Sequence, residues 1–216
     1  MGATKIMVIR HAEKPDKYNG IHYYGVDAVG TNCGAQGEES LVTIGWQRAG
    51  ALATLFAPPW GPAAPLAQPQ HLYAADPAVP ADGDMPSQRP YQTLTAVAAK
   101  LGLAIDRSYR KRDFSEMVRD AINKDGVVLI SWTHEDIPLL TADQPTQPGI
   151  SQWILTATAT EGTLGIPSGW PKGPNGARYD LVWVFDRPTG TGPITKFTLV
   201  PQLLLAGDAP APVVTS

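Results

Sequence analysis

The chain of 216 residues has only one cysteine, Cys33. A single thiol excludes an internal disulfide and is compatible with a reducing compartment. Its Gly-rich, neutral neighbours offer nothing to lower its pKa, so Cys33 reads as a loop residue and not as a nucleophile. Long apolar runs are also missing: none approaches the roughly 20 residues that a membrane-spanning helix requires. No charged-then-apolar leader precedes the first apolar stretch, and Ile6 stands where a myristoylation signal needs Ser or Thr. Positive charge is not in excess, with 17 Lys+Arg against 20 Asp+Glu and a net charge of −3. That balance argues against a general nucleic-acid binder, which usually presents a basic face. Internal repeats and low-complexity linkers are absent. The expectation is a cytoplasmic protein whose partners include neither nucleic acid nor membrane, with its oligomeric state left open.

Proline and glycine are plentiful, 21 of each. They gather in stretches that predict long loops near 15–40, 57–69, 77–88 and 160–178, inserted into one domain spanning 1–216. Between the loops the periodicities are legible. Residues 5–10 predict a strand. Thr43 is placed to cap a helix on which Ala49, Leu52, Leu55 and Phe56 share a face. His71 to Ala74 form a weak second strand. Ser87 is placed to cap another helix, with Pro90 in its first turn, Leu94, Val97, Ala98 and Leu101 on one stripe, and Gly102 as its stop. Asp113 opens a third, with Phe114, Met117, Val118, Ala121 and Ile122 at helical spacing. Val127 to Trp132 is a continuous apolar run, expected of a central strand covered on both faces, and Ile137 to Leu140 begin the helix expected after it. Tyr179 to Asp186 and Thr195 to Leu205 flank a Pro/Gly-rich turn and predict a hairpin. The sum is an α/β three-layer sandwich: a mostly parallel central sheet, an antiparallel edge and helices on both faces.

Ligands of such sheets bind beyond the carboxyl ends of the strands. Arg10, His11, Glu13 and Lys14 follow the first strand, and Thr133, His134, Glu135 and Asp136 follow the central one. Arg89 lies in the first turn of a helix, where free backbone N–H groups favour anions. Singly, each has a plain duty: a solvated strand end for Arg10 and Lys14, a core histidine for His11, a solvated carboxylate or cation partner for Glu13. Together they bring two arginines, two histidines and a lysine to one end of the fold, a combination suited to a phosphate. A metal site built from His11, Glu13, His134 and Glu135 is the weaker reading, because Arg10 and Arg89 would repel a divalent cation.

Three segments carry a family resemblance: Ile9-Arg10-His11-Ala12-Glu13-Lys14, Ser87-Gln88-Arg89-Pro90-Tyr91-Gln92-Thr93, and Leu129-Ile130-Ser131-Trp132-Thr133-His134. With Leu41 to Ala53, including Thr43, Gly45 and Arg48-Ala49, they resemble the histidine phosphatase superfamily, the phosphoglycerate-mutase-like proteins, in order along nearly the whole chain. The resemblance implies the phosphoglycerate-mutase-like fold. It also implies a metal-independent phosphomonoesterase that hydrolyses small phosphorylated metabolites without a cofactor. His11 would be the nucleophile that becomes phosphorylated, with Arg10, Arg89, His134 and Lys14 holding the phosphoryl oxygens. A phosphomutase of the same fold and a non-catalytic phosphate-binding module are the alternatives. Two departures stand out. Many relatives place a serine a few residues before the second arginine, directly after its strand, where this chain has Ala74-Ala75-Asp76 and then a Pro-rich stretch before Ser87. Relatives also differ in the general acid, pointing here to Asp113 or Glu116, or to Glu135. A capping box would account for Asp113 and Glu116, so Glu135 is preferred and Asp136 is the reserve. Trp132 is expected to pack in the sheet. His22, Tyr23 and Tyr24 are ordinary loop residues or a lid over the site, and His71 receives no role.

Overall fold

Two apolar runs far apart in sequence pair in parallel to form the centre of the molecule. A computed structural model describes residues 1–18, 21–26, 34–77, 87–144, 146–173 and 176–210. Cys33 and most of the 77–88 loop lie outside the described residues. Strand β1 (Ala3–Arg10) pairs with β6 (Gly126–Trp132) in parallel register, from Ile6 opposite Val128 to Arg10 opposite Trp132. Beyond β6 come β4 (His71–Ala74) and the short edge strand β5 (Ile105–Asp106), both parallel. On the other side β9 (Leu181–Asp186) pairs antiparallel with β1, and β10 (Lys196–Pro201) closes the sheet against β9. The order is therefore β10-β9-β1-β6-β4-β5. The expected mostly parallel sheet with an antiparallel edge is present.

Strand alternation sends side chains to the two faces. Ile6 and Val8 of β1, with Val128, Ile130 and Trp132 of β6, join a core with α3 (Phe114–Ala121) and α4 (Ile150–Ala157). Met7, Ile9 and Leu129 face the other way, against Leu52 and Phe56 of α1 (Thr43–Phe56) and Leu94, Val97 and Ala98 of α2 (Arg89–Leu101). Three layers result. Gly102 ends α2 in the left-handed region at φ 65°, where glycine carries no Cβ penalty.

Several local expectations are corrected. Thr43 begins α1 without capping it, since Val42 occupies the cap position and no side chain caps the helix. Ser87 does not cap α2 either, because Gln88 holds that place. The capping box of Asp113 and Glu116 does not form: Asp113 accepts the backbone N–H of Arg110 instead, at 3.2 Å. Ile137 to Leu140 start no helix. Buried Ile137 instead gives its carbonyl to the Ser151 N–H, and the helix waits until Ile150. The 15–40 loop contains a small hairpin, β2 (Asp16–Tyr18) with β3 (Ile21–Tyr23), and a 3₁₀ turn at Gly34–Glu39. The 160–178 loop contains the two-residue strands β7 (Lys172–Gly173) and β8 (Gly176–Ala177).

Candidate active site

The ladder between β1 and β6 continues one step past its last pair. The His11 N–H donates to Trp132 O at 2.9 Å, so His11 leaves the sheet beside Thr133 and His134. His11 is 3% exposed. Its Nδ1 lies 2.7 Å from Ala12 O. A carbonyl only accepts, so Nδ1 carries the proton and Nε2 keeps its lone pair. Burial drives the His11 pKa well below 6.5, and the charges of Arg10, Arg89 and His134 push it the same way against the Ala12 hydrogen bond. The imidazole is therefore neutral at neutral pH. All three of these groups act on one ring.

Each of the two arginines is held by specific neighbours. The Arg10 guanidinium sits 3.7 Å above the ring of Tyr179 and donates to Arg178 O at 3.3 Å. Burial lowers its pKa, opposed by the charges of Tyr179, Glu135 and Glu13. An arginine so shifted remains a cation. Arg89 donates from Nε to Ser87 Oγ at 2.9 Å and from a terminal nitrogen to Glu38 O at 3.4 Å. Ser87 thus orients the second arginine, although it is not the residue directly after the strand. Ser87→Ala is expected to lower kcat/KM for any substrate bound through Arg89 by about five- to tenfold, the value of one hydrogen bond. An unchanged value in steady-state kinetics would show that Arg89 needs no such guide.

The helix that carries Arg89 is locked to the strand end it serves. Thr93 Oγ1 accepts the Ala12 N–H at 2.8 Å and donates to Arg89 O at 2.7 Å. Gln92 accepts the Leu41 N–H at 2.8 Å and donates to Ser40 Oγ at 3.2 Å. The Arg-x-x-Gln-Thr pattern is therefore one helix face clamping residues 11–12 and 40–41. Glu13 resolves as a cation partner: both its oxygens accept from Arg48 of α1, at 2.7 to 3.1 Å. At Gly45 a Cβ would meet Glu13 O at 2.6 Å, so only glycine lets α1 approach this segment so closely.

His134 Nδ1 lies 3.2 Å from Glu135 Oε2, close enough for charge attraction but off the line of a hydrogen bond. Burial, the largest influence, lowers the His134 pKa. Burial pushes the Glu135 carboxyl up, but its contact with His134 outweighs this and holds it below the usual carboxylate range. Glu135 is thus ionised in the resting protein, and its charge also reaches Arg10 and Arg89. Asp136 behaves oppositely. Burial raises its pKa to about 6 although Thr133 Oγ1 donates to it at 2.7 Å, and the charges acting on it include Lys111, Glu135 and Asp143. Glu116 is exposed and bonds to Ser115. The charge of Lys14 reaches His134.

Tyr179 is a further residue of the candidate site, one outside the set expected from the sequence. It precedes β9, and because β9 runs antiparallel to β1, its start lies where β1 ends. Besides supporting Arg10, its ring is 6.1 Å from that of His11, and burial raises the pKa of its hydroxyl against the charge of Arg10 and the nearby Lys14 backbone. The signal was available in the sequence: an antiparallel neighbour delivers its first residues, not its last, to the ligand end of the sheet.

No family model matches the chain, and no curated protein does. Among solved structures, it is similar to that of a candidate phosphohistidine phosphatase, SixA, from Agrobacterium tumefaciens, at 15% identity and a TM-score of 0.42. The match covers 91% of this chain and 96% of that one. Among the described residues, no helix is long and apolar enough to cross a membrane.

Proposed function

We propose that the protein is a metal-independent phosphomonoesterase that works through a phosphohistidine on His11. The observation that carries the reading is a buried, neutral imidazole with its Nε2 lone pair retained, subject to the fields of two arginines and a second histidine. Nε2 attacks phosphorus as the ester P–O bond breaks, and the leaving oxygen takes a proton. Water then attacks the same phosphorus and breaks the P–N bond, releasing inorganic phosphate and restoring the imidazole. Arg10, Arg89, His134 and Lys14 hold the phosphoryl oxygens and stabilise the charge spread over them in the transition state.

Glu135 has the role of proton carrier. Because its carboxyl is ionised at rest, the proton for the leaving group arrives with the substrate, as a phosphate monoanion. Glu135 passes that proton to the leaving oxygen and then accepts one from the attacking water. The sign of the pH dependence follows. Phosphate monoesters lose their second proton near pH 6. Above that, the missing proton must come from solvent, so kcat/KM for alkyl esters is expected to fall roughly tenfold per pH unit. On the acid side His11 and Glu135 both titrate below their ordinary values, so no loss is expected as pH falls through 6.5. A pH profile with an acid limb at or above 6.5 would overturn the neutral-imidazole reading.

The first test of the activity is hydrolysis of p-nitrophenyl phosphate in the presence of a chelator. Turnover that persists supports the reading. Phosphate binding without turnover from pH 4 to 8 would leave only a binding module.

A further inference from the structure

Beside the cation cluster lies a cavity of about 620 Å³, whose walls include Lys14, Tyr23, Tyr24, Ile44, Gln47 and Tyr179. Two of these residues belong to both places. Tyr179 carries Arg10 on its ring, and the charge of Lys14 reaches His134. The cavity therefore adjoins the position proposed for the phosphate. Its volume falls in the range of sites that enclose a small organic molecule, far more than a phosphate group needs.

The walls are unusual for a surface. Tyr23, Tyr24 and Ile44 are 49%, 43% and 44% exposed. Exposed apolar side chains are ordinary when scattered singly, but a concave group of them beside a polar centre marks a binding site. The aromatic wall is also fixed in place. His22 reaches Glu38 at 2.7 Å, and its ring lies 4.4 Å from that of Tyr24. Glu38 in turn gives its carbonyl to Arg89. The hairpin β2–β3 is thereby tied to the same loop that steadies the second arginine.

We infer that this cavity receives the body of the substrate, and that the substrate class is a small phosphate monoester whose organic part carries a planar aromatic ring. The inference rests on the phosphomonoesterase reading above. The phosphate lies among Arg10, Arg89 and His134, while the ring packs against Tyr23, Tyr24 and Ile44. Tyr23 and Tyr24 offer ring faces and edges that favour another aromatic group. The exposed amide of Gln47 is available to a polar edge of that ring. Asp16 and Thr43 also line the cavity and can bond to polar groups, but a sugar phosphate, hydroxylated around its whole body, would leave Tyr23, Tyr24 and Ile44 without an apolar partner.

The test compares 2-phenylethyl phosphate with ethyl phosphate, two alkyl esters of similar leaving-group chemistry that differ by the ring. Wild-type kcat/KM is expected to favour the phenyl ester by about tenfold or more. Tyr24→Ala and Ile44→Ala are expected to remove most of that preference through KM, raising KM for 2-phenylethyl phosphate about tenfold and KM for ethyl phosphate far less. Both residues are half-exposed, so the two variants are expected to fold, and agreement between them guards against a local fault in one. Equal rates for the two esters, or a preference untouched in both variants, would overturn the inference and leave the phosphatase reading intact. Calorimetric binding of the corresponding phosphonates reads the cavity without turnover. A phenyl preference there that Tyr24→Ala abolishes supports the cavity's role even if no ester is hydrolysed, in which case only the phosphatase reading falls. Equal phosphonate binding overturns the cavity's role.

Discussion

Replacing His11 with alanine is expected to lower kcat for p-nitrophenyl phosphate by roughly 10⁴-fold or more, the scale seen when a covalent nucleophile is removed. The reason is that no neighbour is equipped to take its place. His134 is the other imidazole near the cluster, and its Nδ1 sits against Glu135. Arg10 and Arg89 are cations that bind oxygen and do not attack phosphorus. Substitution with asparagine separates chemistry from packing, because an amide N–H can still serve the Ala12 carbonyl that Nδ1 serves now. Both variants are expected to retain the fold, by circular dichroism, and to bind phosphate or vanadate. A residual rate within about tenfold of wild type in either variant would place the nucleophile elsewhere. Acid-sensitive labelling of the wild-type chain by a radioactive phosphate ester, absent from both variants, would be the direct sign of the intermediate.

Arg48→Ala is expected to be among the costliest single changes to stability. Arg48 is 4% exposed and joins three parts of the chain. Beyond Glu13, it donates to Asp208 at 2.8 and 3.1 Å and to Gln202 at 3.1 Å. Burial works against its charge, but the hydrogen bonds to Asp208 and Glu13 prevail and raise its pKa above the ordinary value. Removing one member of a buried ion pair leaves the other charge uncompensated, at about 3–5 kcal/mol. For a chain of this size that is a fall of about 10 °C in Tm. Asp208 also receives the N–H groups of Leu204 and Leu205, at 2.8 and 3.1 Å. The loss would therefore loosen the turn after β10 as well as the segment carrying Lys14. The Asp208 carboxyl is held below its ordinary pKa: burial opposes this, and the Arg48 bond outweighs it. Its contribution is therefore complete above the unfolded value near pH 4 and disappears as pH falls through the lower, folded value. Denaturant unfolding of Arg48→Ala and of wild type checks this. A difference below about 1 kcal/mol would mean the network only breaks even.

Local patterns were sufficient for the central elements. Ile6 to Ile9 and Val127 to Ile130 are apolar without alternation because they are covered on both faces, and that composition survives any detail of topology. The face of α2 bearing Leu94, Val97 and Ala98 was equally plain, as was its end at Gly102. Helix starts were less legible. Thr43, Ser87 and Asp113 all have capping chemistry, yet none caps its helix, because each has a different neighbour or backbone path in the folded chain. For Ser87 that competing partner is the Arg89 guanidinium, and the better hydrogen bond goes to a charge. The helix expected at 137–140 fails for a similar reason. Burial of Ile137 and the pairing of its carbonyl with Ser151 hold that stretch in turns.

The candidate site divides in the same way. Arg10, His11, Arg89 and His134 were visible because strand ends and helix starts deliver side chains to predictable places. Glu13 was legible as a cation's partner, but not which cation, since Arg48 approaches from a separate helix. Tyr179 was invisible to a reading that gathered only residues at strand carboxyl ends. The ionisation of Glu135 was also out of reach, since a carboxylate's pKa depends on how far burial is offset by a particular neighbour.

By itself, then, the order of apolar runs and punctuating glycines determined an α/β sheet with cations and imidazoles at one end, because period and strand polarity are local properties of the chain. Only the tertiary structure decided which nitrogen of His11 keeps its lone pair, what holds each arginine, and the shape of the aromatic cavity beside them. Those features depend on carbonyls, rings and carboxylates that lie far off in sequence and become neighbours only when the sheet is assembled.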